Sequence, residues 1–79
     1  MLPNRKSARD FLLHTDRPTF LEVVYKAKVT PRQKDILYRK YLDNKSNIQI
    51  AEELFTSIET VRNELAVAHD HIYNYLFIT

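Results

Sequence analysis

The chain has 79 residues, 44% hydrophobic and 28% charged, with a net charge of +2 and no cysteine or glycine. That is one small globular domain, expected to span residues 1–79, and not a disordered chain. The missing cysteines exclude disulfides, thiolate zinc sites and cysteine nucleophiles. The missing glycines exclude phosphate-cradling loops and dinucleotide fingerprints. No apolar run approaches the ~18 residues of a spanning helix, and no signal-peptide pattern is present, so no membrane association and a cytoplasmic location are expected.

The charge is unevenly spread. Residues 1–45 hold eleven Lys/Arg against five Asp/Glu, a balance of +6, whereas residues 46–79 hold Arg62 against five acids, a balance of −4. The two halves therefore face different partners, or each other.

In chain order, residues 1–6 read as a basic arm, and Ser7 as the cap of a short helix bearing Phe11, Leu12 and Leu13. A residue before proline is steered out of the helical region, which places Arg17 in a connection. Thr19 then starts a second helix, with Glu22 completing a capping box and Phe20, Val23, Val24 and Ala27 on one apolar face. Thr30-Pro31 is the strongest helix start, since proline at the first position loses only an N–H that has no partner anyway. That helix buries Ile36, Leu37, Tyr41 and Leu42 and stops near Asp43-Asn44, where Asn44 is the natural left-handed residue in a chain without glycine.

Ser46 or Asn47 starts the next helix, with Ile50, Ala51 and Leu54 facing inward, and Ser57 caps the last one. The last helix sets Val61, Leu65, Ala68 and Ile72 on one stripe, and Tyr73–Ile78 continues it. No segment alternates convincingly at period two. The fold class is all-α: five helices containing a helix-turn-helix at about 47–54 and 58–72. In such a unit Ala51 is small because the second helix crosses close to it. That helix then projects Ile58, Glu59, Thr60, Arg62 and Asn63 toward a major groove.

The segments Val29–Leu37 and Ser46–Leu65 resemble the DNA-binding domain of LuxR-type, or GerE-type, regulators. Thr30-Pro31-Arg32 is similar to that family's helix start. Ser46-Asn47-Ile48-Gln49-Ile50-Ala51 is similar to its Ser-Asn-x-x-Ile-Ala segment, and Thr60-Val61-Arg62-Asn63 to its recognition segment. Phe55 also matches a common family choice, where the related fourth region of bacterial sigma factors more often has glycine. The resemblance covers about residues 29–72 and has no gap from Ser46 to Leu65. It departs at Ile48 and Glu59, usually cationic in the family, at Glu64, commonly His, and at Thr56, usually apolar. Residues 1–28, the arm and two helices, are not part of the family's domain.

The resemblance implies a double-stranded DNA-binding transcriptional regulator whose recognition helix begins near Ser57. The expected contacts are Ser57, Glu59, Thr60, Arg62 and Asn63, with Arg32, Lys45, Ser46 and Asn47 at the starts of the supporting helices. The Arg5-Lys6-Arg9 arm can add cations in a minor groove. An alternative follows from the −4 balance: the scaffold is kept while its acidic face binds a protein of the transcription machinery, such as a sigma factor, polymerase or another regulator. Tyr75, Leu76, Phe77 and Ile78 suggest a homodimer through the C-terminal helix.

The nine aromatics, at helical spacing, are expected to be core rather than stacking platforms. His69 and His71, two apart on a helix, point away from each other and are not read as metal ligands. No nucleophile sits beside a His and an acid, so neither enzyme chemistry nor a cofactor is expected. Phe55 is too bulky to take a positive φ without strain, so the turn is expected to place any positive φ elsewhere.

Overall fold

The computed structural model describes residues 4–78, with side chains described from Ser7 onward. Five α-helices follow one another: α1 (Asn4–His14), α2 (Arg17–Lys26), α3 (Pro31–Leu37), α4 (Asn47–Glu53) and α5 (Ile58–Phe77). α3 runs directly into a π-turn over Tyr38–Leu42. No strand occurs among the described residues, so the all-α expectation holds.

α5 is the axis of the fold, and every other helix leaves residues against it. Its stripe of Val61, Leu65, Ala68 and Ile72 is buried as the spacing predicts. Phe20, Val23, Val24 and Ala27 of the α2 segment, Ile36 and Leu37 of α3, and Ile50 and Ala51 of α4 close the core around it. α1 seals the remaining side of α5 with Ala8 and Leu12, one helical turn apart.

The helix starts follow capping chemistry. Thr30 accepts from the Gln33 N–H at 3.1 Å while its own N–H donates to Gln33 Oε1 at 3.0 Å. Ser46, rather than Asn47, is the next cap, and it exchanges the same pair of bonds with Gln49. Ser57 accepts from the Thr60 N–H at 3.1 Å. Each side-chain cap satisfies N–H groups that no carbonyl in the helix can reach.

Two starts differ from expectation. α1 begins at Asn4, so Ser7 lies within the helix; Arg5 and Lys6 are helical too, and their side chains lie outside the described residues, as do Met1–Pro3. α2 begins at Arg17, with Asp16 as its N-terminal flank and Pro18 in the first turn. Pro18 is tolerated there because the N–H it lacks has no partner in the first turn, and the steric bias it places on Arg17 is a preference that the helix start overrides. The Thr19 hydroxyl serves Asp16, holding its carboxyl below the ordinary 3.8, and Glu22 pairs with Lys26 at 2.8 Å instead of closing a capping box.

The helix ends carry three left-handed residues: Lys28 (φ 60°), Asn44 (φ 57°) and Phe55 (φ 55°). Asn44 does so as expected. Phe55 overturns the expectation that the α4–α5 turn avoids positive φ at a bulky residue. The cause is a Schellman pair at the end of α4: the Thr56 N–H donates to the Ala51 carbonyl at 2.9 Å and the Phe55 N–H to the Glu52 carbonyl at 3.3 Å. Both bonds require the intervening residue to be left-handed. Phe55 complies while 97% exposed, so no burial offsets its strain.

The aromatic expectation also holds only in part. Phe20 is buried, with the rings of Tyr38 and Tyr41 at 6.1 and 6.0 Å. Phe11, Tyr38, Tyr41, Tyr73 and Tyr75 are half-buried, and Tyr25, Phe55 and Phe77 are exposed.

Candidate nucleic-acid interface

α4 and α5 are joined by residues 54–57, and the first turns of α5 have a clear inside and outside. Val61 and Leu65 face the core, while Glu59, Arg62 and Asn63 are exposed. The Thr60 hydroxyl is 2.9 Å from that of Ser57, which ties both to the helix start. At the head of α4, the Ser46 side chain is committed to Gln49.

Three cations of the N-terminal half, Arg32, Arg39 and Lys45, answer acids of the C-terminal half. Glu53 receives Lys45 Nζ at 2.6 Å and also the Arg39 guanidinium, which bonds Asp35 at 2.8 Å. Those two cations hold the Glu53 carboxyl below its ordinary range, Lys45 contributing most. Glu64 is half-buried: its Oε1 accepts from Gln33 Nε2 at 3.1 Å, and Arg32 Nε lies 4.0 Å from its Oε2. Gln33, buried at 4% exposure, thus caps α3 with one end of its amide and anchors α5 with the other. The +6 and −4 halves face each other to that extent.

A second group of cations has no acid to answer among the described residues. A shallow open groove of about 240 Å³ is lined by Arg9 of α1, Lys40 and Tyr41 of the π-turn, Asn47 of α4, and Arg62, Leu65, Ala66 and His69 of α5. No carboxylate is among the described residues that line it. Lys40 Nζ donates to Asn47 Oδ1 at 2.9 Å, and the Tyr41 hydroxyl lies 2.7 Å from His69 Nε2. His69 is buried and Tyr41 half-buried, and desolvation pushes the Tyr41 phenol up to about 12.

Of the residues expected at a DNA surface, the structure brings Asn47 and Arg62 together in this groove and leaves Glu59 and Asn63 exposed beside it in sequence. Arg32 and Lys45 are engaged with Glu64 and Glu53, Ser46 and Ser57 serve as caps, and the Thr60 hydroxyl is tied to Ser57. Sequence reasoning missed Lys40, Tyr41, His69 and the Gln33–Glu64 link, and read Arg9 as part of an arm. Arg9 and Arg62 are 53 positions apart, so only the docking of α1 on α5 reveals them as neighbours. Among the described residues, no group of three or more His, Cys, Asp or Glu is placed to hold a metal ion. No helix among the described residues is long and apolar enough to cross a membrane. Comparison of the chain with protein-family models, curated proteins and solved structures finds no match.

Proposed function

We propose that this chain binds double-stranded DNA and regulates transcription as a helix-turn-helix protein, with α4 as the supporting helix and α5 as the recognition helix. The observation that carries the reading is the disposition of charge on the first turns of α5. Arg62 and Asn63 face solvent, whereas the Glu64 carboxylate, which would repel phosphates, is turned into the protein against Gln33 and Arg32. Arg62 supplies a phosphate contact, Asn63 suits the paired donor and acceptor of adenine, and Glu59 can accept from a cytosine amino group. The resemblance to LuxR-type domains supports the same assignment of helices.

Fluorescence anisotropy with labelled genomic fragments tests it. Binding is expected at ~50 mM salt and should weaken steeply as salt rises; no binding at ~50 mM, where phosphate contacts are strongest, overturns it. The alternative, an acidic face that docks a transcription-machinery protein, draws less support now that Glu53 and Glu64 are engaged internally. Glu59→Lys separates the two readings, strengthening DNA binding under the first and weakening capture of a protein partner under the second. We assign the exposed Phe77 and Ile78 to pairing of two copies; sedimentation equilibrium giving a monomer mass at all concentrations removes that assignment.

A further inference from the structure

We infer that the groove between α1, the π-turn, α4 and α5 seats a phosphate of the nucleic-acid backbone, held by Arg9, Lys40, Arg62 and the Asn47 amide. The inference rests on the DNA-binding reading and adds to it a contact from α1, a helix outside the helix-turn-helix.

Lys26, Arg32, Arg39 and Lys45 each lie within ion-pair distance of a carboxylate. Arg9, Arg17, Lys28, Lys34, Lys40 and Arg62 have no such partner among the described residues, and of these Arg9, Lys40 and Arg62 line one groove. Like charges gathered along one open groove repel one another, though solvent screens them, and a bound anion relieves that repulsion. Asp10, next to Arg9 in sequence, is not among the lining residues.

The donor geometry suits an oxyanion. Lys40 is steered by its bond to Asn47 Oδ1, which leaves the Asn47 amide N–H groups available to the groove. Two guanidiniums add planar paired donors of the kind that match phosphate oxygens. The floor is polar but satisfied within the protein by the Tyr41–His69 contact, so the donors aimed at a ligand are the cationic rim and the Asn47 amide. A backbone phosphate is favoured over a small phosphorylated ligand because the groove is shallow and open. It also shares Arg62 and Asn47 with the surface assigned to the duplex.

The test is anisotropy with one duplex across a salt series, comparing the protein with Arg9→Gln, Lys40→Gln and the control Arg17→Gln. Arg17 is an exposed cation at the start of α2 that does not line the groove. Each groove variant is expected to weaken binding on every duplex sequence and to lower the salt slope by about 1. Arg9→Lys and Lys40→Arg should restore the slope, and Arg17→Gln should leave it unchanged. Helical circular dichroism identical to the parent's confirms that each variant is folded.

If the parent binds and both groove variants keep its slope, the groove assignment is overturned while DNA binding stands. A parent that binds no duplex overturns both. Inorganic phosphate at millimolar concentration separates the sources of the anion. Competition by phosphate beyond that of chloride at equal ionic strength would mark a pocket for a free anion and overturn the backbone assignment.

Discussion

Replacing Phe55 by glycine is expected to stabilise this protein, although it deletes the largest exposed side chain of the α4–α5 turn. A left-handed conformation costs an L-residue roughly 1–2 kcal/mol, and glycine pays none of it. Glycine in turn loses about 0.5–1 kcal/mol more backbone entropy on folding. Phe55 is 97% exposed, so its removal forfeits almost no buried area and creates no cavity. The net gain is about 0.5–1 kcal/mol, which for a domain of this size raises Tm by roughly 2–8 °C. Thermal melts at 222 nm measure it directly. Lys28→Gly should gain a similar amount, while Asn44→Gly should gain less, since asparagine tolerates this region. A Tm for Phe55→Gly below the parent's would refute the reasoning and show that the Phe55 ring contributes to the fold.

Three further outcomes follow from the polar contacts. Gln33→Ala should lower stability by about 1–3 kcal/mol in urea unfolding, because it leaves the Thr30 N–H and the Glu64 carboxylate each short of a partner. Glu53→Gln should flatten the acid limb of the stability curve. The folded-state pKa of Glu53 is lowered from its ordinary 4.5 by Lys45 and Arg39, so its contribution is complete above that value and lost as pH falls through the lower folded one. Tyr41 gives the opposite limb. Its folded pKa of about 12 exceeds the ordinary 10.0, so the folded state holds the proton longer and stability falls as pH rises from 10 toward 12. Tyr41→Phe should remove that component in alkaline unfolding and cost about 1–2 kcal/mol near neutrality, since His69 loses its hydroxyl partner.

What could be read from the sequence was local. Thr30, Ser46 and Ser57 are caps because a side-chain oxygen and the N–H three residues on suffice to define a helix start. The Val61, Leu65, Ala68, Ile72 stripe is legible because burial repeats with the helical period. Phe55 was misread because propensity was weighed alone; the two Schellman bonds to Ala51 and Glu52 outweigh a strain of 1–2 kcal/mol. The π-turn left no signal, since its ladder differs by one residue and Tyr38–Leu42 reads equally well as α. Glu64 looked like a liability on a DNA-facing helix, and nothing near it in sequence announces Gln33, 31 positions earlier. The groove was hidden for the same reason: its cations come from α1, the π-turn and α5.

The docking of α1 on α5 has a consequence for the order in which this molecule is made. At 11 residues α1 is shorter than the ~12–15 below which isolated helices are marginal in water. It emerges from the ribosome long before the helix that shelters Ala8 and Leu12. During synthesis the first helix is therefore a fluctuating segment, and it settles only when the last has been made. Arg9 lines one groove with Lys40 and Arg62 only in the arrangement in which α1 is docked on α5. A nascent chain accordingly has its cations dispersed, and their convergence on one groove accompanies completion of the fold.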